Sequence, residues 1–167
     1  MPVRSAGILL YRRTAGVPEV WIAHMGGPFW AHKDAAAWSI PKGEYEPGED
    51  PFAAARREFE EEIGVPAPDV EYLRLGEFRQ PSGKLVTVFA AEADFTVERV
   101  VSNTFQLEWP KGSGRLQEFA EVDDARWVGL PEARVKLVRG QLPVLDALAQ
   151  ELRGQGQLGP AGDETDG

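Results

Sequence analysis

An α+β fold is what this sequence predicts, and three observations carry the prediction. Short apolar stretches with two-residue alternation, bounded by Gly- and Pro-containing turns, recur through the first and middle parts of the chain. The stretch from Asp50 to Gly64 has the caps and periodicity of a helix. Leu142, Leu145, Leu148 and Leu152 form a second helical stripe near the end.

Taken in order, Val3 to Tyr11 (VRSAGILLY) and Glu19 to His24 (EVWIAH) predict two strands joined by the turn-rich RRTAGVP. Met25 to Ala37 reads as a Gly- and aromatic-containing loop, and Trp38 to Ile40 as a short strand running into Pro41-Lys42-Gly43. In the central helix Asp50 suits the N-cap, Pro51 the first helical position and Gly64 the left-handed terminator. At 100° per residue, Phe52, Phe59 and Ile63 share a flank that should face the core. After a turn at VPAPD, a hairpin is predicted from EYLRLGEF, the turn QPSG and KLVTVFAAEADF. Leu85, Thr87 and Phe89 alternate there with Val86, Val88 and Ala90, as in a strand buried on both sides. Val97 to Gly114 yields only a turn at WPKGSG; Ala125 to Val128 reads as a strand, and Pro131 is placed to open a helix at Glu132. Residues 1–153 are expected to form a single domain without internal repeats, and 154–167 a loose acidic, Gly-rich tail.

The 167-residue length suits one core, and 43% hydrophobic with 10% aromatic residues argues against disorder. No apolar run approaches a membrane span, and Met1 to Tyr11 lacks the regions of a signal peptide, so a cytoplasmic protein is expected. Cysteine is absent, which excludes disulfides and thiolate metal sites. Two histidines, His24 and His32, are too few for a histidine metal centre. The net charge of −9 weighs against extended nucleic acid as a partner but leaves anionic small molecules open, because a bound cation reverses the local field.

Gly43 to Val65, GEYEPGEDPFAAARREFEEEIGV, is the most informative stretch. Glu58, Glu61 and Glu62 converge on one helical flank, where like charges cost about 0.2–0.5 kcal/mol per pair even when exposed. Near a core wall the repulsion grows and at least one carboxyl pKa should rise. A hard divalent cation relieves both effects, and Mg²⁺ completes its shell with water and substrate phosphate. The competing reading, a solvated acidic face, would suffice for EFEEE alone. The full pattern is G-x5-E-x7-R-E-U-x-E-E-x-G-U, with Phe59 and Val65 at the bulky apolar positions U. An accidental match to seven fixed positions is expected in on the order of one chain in a million or fewer.

That pattern is the signature of the Nudix (MutT-like) hydrolases, which the chain resembles. Ser39-Ile40-Pro41-Lys42-Gly43 is similar to the family's strand-to-loop approach, and EVDDARWV followed by Leu130-Pro131-Glu132-Ala133 to its closing strand and helix. The resemblance covers most of residues 1–150 and implies an α/β/α sandwich with a mixed, curved sheet between helices. It implies Mg²⁺ (or Mn²⁺) held by Glu58, Glu61, Glu62 and the backbone carbonyl near Gly43, with Glu58 also a proton acceptor. Arg57 would pair with Glu49 or with a member of the cluster, since its fork suits a carboxylate. Glu118, ahead of Glu121, is the candidate for a base or further metal ligand outside the signature.

The implied reaction is cleavage of a phosphoanhydride in a nucleotide-like substrate, a dinucleoside polyphosphate or nucleoside triphosphate before ADP-ribose or a sugar nucleotide. A module that senses nucleotides without catalysis ranks lower, because no signature carboxylate is missing. Lys42 and Lys33 are candidates for phosphate contact. Trp30 heads a set of aromatics (Phe29, Trp38, Phe78 and Trp109) that could stack on a base or belong to the core. Oligomeric state is left open.

Overall fold

A computed structural model describes residues 2–155. The alternation in VRSAGILLY places successive side chains on opposite faces of a strand, and both faces are covered. In β1 (Arg4–Thr14) Ile8 and Leu10 face one apolar cluster while Leu9 and Tyr11 face another. The chain reverses through a two-residue turn into β2 (Val17–Met25), so the strands extend well into the segment read as a connecting turn. Then follow β3 (Trp38–Ser39), β4 (Lys42–Glu44) and helix α1 (Pro51–Ile63). The predicted hairpin is β5 (Leu73–Arg79) and β6 (Leu85–Glu92).

The sheet runs β3-β2-β1-β6-β5, with β4 also pairing β1 and β9 (Val122–Gly129) pairing β2. It is mixed: β1 and β6 are parallel, whereas β1 is antiparallel to β2 and β4. Helix α1 covers one face, burying Ala54, Ala55, Phe59 and Ile63 against Ile8, Leu10, Trp21 and Phe89. The other face carries α2 (Leu130–Lys136) and α3 (Leu142–Gly154), with Leu145, Leu148 and Leu152 against Leu9, Ile22, Val86 and Val88. The expected α/β/α sandwich is thus the architecture observed. Completely burying a Leu or Phe is worth about 1.5–3 kcal/mol, so the alternation of β1 and β6 drives the layering.

Val97 to Gly114, left almost without structure by the sequence, holds half of a second sheet. There β7 (Thr104–Glu108) pairs antiparallel with β8 (Leu116–Ala120), on either side of the WPKGSG turn. Helix α3 runs one residue beyond the expected domain limit, and 156–167, most of the expected tail, lie outside the described residues. Among the described residues no helix is long and apolar enough to cross a membrane.

Candidate active site

Two caps set the phase of α1. The Asp50 carboxylate accepts from Ala53 N–H at 2.9 Å, and Gly64, at φ 98°, donates its N–H to the Glu60 carbonyl. With Phe59 and Ile63 fully buried, the neighbouring positions 58 and 62 face β4. There the Lys42 N–H donates to Glu62 Oε1 at 3.4 Å. A Cβ added to Gly43 would fall 1.9 Å from Glu58 Oε1, so only glycine allows the strand and the carboxylate to come so close. The Arg57 guanidinium forks between Glu49 at 3.0 Å and Glu58 at 3.1 Å, so both pairings the sequence suggested are made.

Crowding and burial show in the protonation equilibria. The Glu62 carboxyl is pushed up to about 8, chiefly by desolvation; the Lys42 charge and amide pull it down, while Glu58 and Glu121 push it up. Glu58 is also raised, first by desolvation and then by Glu61. Burial lowers the Lys42 ammonium, against the opposing pull of Glu62. Displaced equilibria gathered in one place are a feature that functional sites share.

The cleft itself is a cavity of about 260 Å³, with Trp30, Lys42, Glu62, Phe105 and Glu121 among its walls. Glu121 is pinned at both ends of its peptide unit: its N–H donates to the Asn103 carbonyl and its carbonyl accepts from Gly26, both at 2.9 Å. A larger hollow of about 480 Å³, lined by Tyr11, Tyr72, Glu92 and Glu151 between the β5–β6 edge and α3, contains no signature residue. Size therefore does not identify the site; chemistry does.

The fold brings together Lys42, Gly43, Arg57, Glu58 and Glu62, with Trp30 in the cleft wall. Glu61 lies partly buried on the same helix, close enough for its charge to raise Glu58. Two candidates, Glu118 and Lys33, stand apart from this group. Glu118 sits exposed on β8, where its carboxylate accepts from the Thr104 hydroxyl, whereas Glu121 lines the cleft. Glu118 lies within β8, whereas Glu121 falls in the one-residue gap between β8 and β9. Lys33 places its ammonium 3.7 Å from the centre of the exposed Phe29 ring. Trp38 and Phe78 belong to the core, the Trp38 indole donating to Asp34. Trp109 is exposed and lies outside the cleft.

Phe105 is the wall residue that sequence reasoning missed. It stands on β7, whose Thr-Phe-Gln-Leu-Glu alternation was the available signal. Only two apolar residues in five made that signal faint.

Among the described residues, no three carboxylate or imidazole groups are gathered into a closed cation cage; Glu58 turns to Arg57 and Glu62 to Lys42. The donor chemistry nevertheless fits a hard dication: the side chains are all carboxylates and partly buried, and burial raises the Glu58 and Glu62 carboxyls, a cost that a bound cation would offset.

Comparison with known proteins gives the family and the fold. The sequence pattern of the NUDIX domain matches residues 1–148. A bis(5'-nucleosyl)-tetraphosphatase (asymmetrical) of Caenorhabditis elegans is 38% identical over 65 residues, which is 39% of this chain and 43% of that protein. The match thus spans less than half the relative's length. Among solved structures, a C. elegans Ap4A hydrolase binary complex superposes with a TM-score of 0.58 at 24% identity, covering 91% of this chain and 98% of that one. The NUDIX domain of Shewanella oneidensis NrtR complexed with ADP ribose gives 0.59 at 16% identity, covering 91% and 89%. At these identities the structural likenesses establish the fold.

Proposed function

The chain belongs to the NUDIX domain family, and from that premise we propose that it is a divalent-metal-dependent pyrophosphohydrolase of nucleotide-like substrates. One observation carries the proposal. Glu58 and Glu62, partly buried and with raised carboxyl pKa values, stand against β4 beside a cleft that also holds Lys42 and Glu121.

Glu58, Glu61, Glu62 and the Gly43 carbonyl would hold Mg²⁺ or Mn²⁺. Bound there, the ion supplies charge neutralisation for anhydride oxygens and acidifies a water. The chain's own groups do the rest. Lys42 orients a phosphate oxygen. Arg57 holds Glu58 against rotation, leaving one carboxylate oxygen to accept the proton of the attacking water. Glu121 is placed to share that task, in preference to Glu118. The water oxygen bonds to phosphorus, the anhydride P–O bond breaks, and the leaving phosphate departs with the bond's electrons. Trp30 and Phe105 form the walls against which a base can stack while water is displaced.

The favoured substrates are dinucleoside polyphosphates or nucleoside triphosphates. The partial likeness to a tetraphosphatase supports that order, with ADP-ribose and sugar nucleotides second. Retention of every signature carboxylate argues against a purely sensing role. The acidic charge disfavours extended nucleic acid, and we place the protein in the cytoplasm.

The test is a phosphate-release screen of the purified protein with Mg²⁺ and Mn²⁺ against dinucleoside polyphosphates, nucleoside triphosphates, ADP-ribose and NADH. Metal-dependent cleavage abolished by Glu62→Gln is expected. Binding without cleavage of any of them would overturn catalysis in favour of sensing.

A further inference from the structure

A second cavity, about 390 Å³, opens beside the acidic cleft and shares Met25, Ser39 and Lys42 with it. Its other walls include Gln80, Lys84, Arg139 and Gln141. Three cations and no carboxylate line it, in a chain whose net charge is −9. Among the described residues Arg139 and the Lys42 ammonium make no ion pair or hydrogen bond within the protein. Lys84 is engaged only by the exposed Glu44 carboxylate, at 3.2 Å, a contact of the kind that exchanges readily.

The walls are fixed in place. Gln141, 1% exposed, accepts from Ile40 N–H and donates to Ser39 Oγ, both at 2.9 Å. Gln80 Nε2 donates to the Gly140 carbonyl at 3.0 Å, and the Gln80 N–H donates to the Lys84 carbonyl at 2.7 Å. Three distant segments (Ser39 and Lys42, the β5–β6 turn, and the chain before α3) are thereby stitched around a cavity of fixed positive charge. Cations with few partners of their own, carried on a rigid frame, attract an anion at low reorganisation cost.

From this geometry we infer that the cavity walled by Lys42, Lys84 and Arg139 is an anion subsite for a phosphate group of the substrate lying beyond the anhydride that is cleaved. The inference rests on the hydrolase reading and narrows it. A substrate seated at Glu58 and Glu62 and running past Lys42 needs at least one further phosphate to fill the basic lobe. Chains of three or more phosphates meet that need, whereas a diphosphate joined to a sugar offers a neutral ring there instead.

Two measurements on the full chain test this, with Lys84→Gln/Arg139→Gln as the variant, since neither residue belongs to the acidic cleft. In the metal-free protein at low ionic strength, calorimetric titration with inorganic tripolyphosphate should show saturable binding by the wild type and by Glu62→Gln. The double variant should bind at least tenfold more weakly, with an unchanged melting temperature. Arg139→Lys, which keeps the charge, should lose less than Arg139→Gln. With Mg²⁺, the ratio of kcat/KM for a dinucleoside tetraphosphate to that for ADP-ribose should fall at least tenfold in the double variant.

Equal tripolyphosphate binding by wild type and double variant would overturn the subsite, as would a wild type that cleaves only ADP-ribose. Weakened tripolyphosphate binding with an unchanged substrate ratio would overturn the link to the substrate, marking a site for free anion. Binding that tracks Lys84 and Arg139 in a wild type that cleaves none of the dinucleoside polyphosphates, nucleoside triphosphates, ADP-ribose or NADH would leave an anion site standing and overturn the hydrolase reading.

Discussion

The acidic and basic lobes of the trough meet at Lys42 and are built on opposite plans. In the acidic lobe the groups constrain one another. Gly43 admits the Glu58 carboxylate, Arg57 ties it to Glu49, and the Lys42 amide reaches Glu62. In the basic lobe the charged groups touch little, and the rigidity lies in neutral amides behind them, chiefly Gln141 and Gln80. Carboxylates crowded at a core wall need partners to remain ionised, whereas cations lining an open cavity need only a fixed frame to act on an anion. The lobes should therefore fail differently when altered.

The largest effect is expected from Glu62→Gln or Glu58→Gln. Loss of a metal ligand or proton acceptor should lower kcat by about 10²–10⁴ while the melting temperature holds or rises. Retained turnover in both variants would remove the mechanism. Gly43→Ala comes next. The added methyl would collide with the flexible end of Glu58 rather than with backbone, so the carboxylate must swing aside. Activity should drop roughly tenfold or more with little loss of stability, on the scale by which disturbed outer partners weaken metal sites. A large fall in melting temperature with normal specific activity would contradict that division.

Protonation sharpens the contrast. Glu62 in the folded, metal-free protein stays protonated to about 8, against an ordinary value of 4.5. The folded state then binds a proton that the unfolded state has released. The stability this contributes is complete below 4.5 and is lost as pH rises through about 8. Metal-free protein should accordingly lose stability between pH 5 and 8, and Mg²⁺ should restore it. Because the ion displaces that proton, Mg²⁺ affinity should climb roughly tenfold per pH unit below 8. Flat affinity across this range by calorimetry would show that Glu62 is no ligand. The smallest effect belongs to Glu118→Gln, expected within about twofold of wild type on the scale of ordinary surface substitutions. Glu121→Gln should cost at least tenfold, and steady-state kinetics on the pair decides which glutamate serves the cleft.

Helix α1 was legible in detail because each of its determinants is local. Asp50, Pro51 and Gly64 set its ends, and the spacing of Phe59 and Ile63 set its buried face. The two-sided burial of β6 was legible for the same reason. The β7–β8 hairpin was not: its strands alternate exposed with half-buried residues and have no continuous apolar run to announce them. That gap hid Phe105, and it let Glu118 rank ahead of Glu121, because their separation depends on where the hairpin ends and β9 begins.

By itself the sequence determined the family, the layered α/β/α architecture and the carboxylate helix, since these follow from spacing along a few turns or strands. Tertiary structure alone decided that Glu121 rather than Glu118 lines the cleft, that Lys33 rests on Phe29, and that Lys42, Lys84 and Arg139 surround one cavity. Periodicity tells a residue which face to take. Only the folding of distant segments against one another tells it which neighbours share that face, and electrostatics acts through those neighbours.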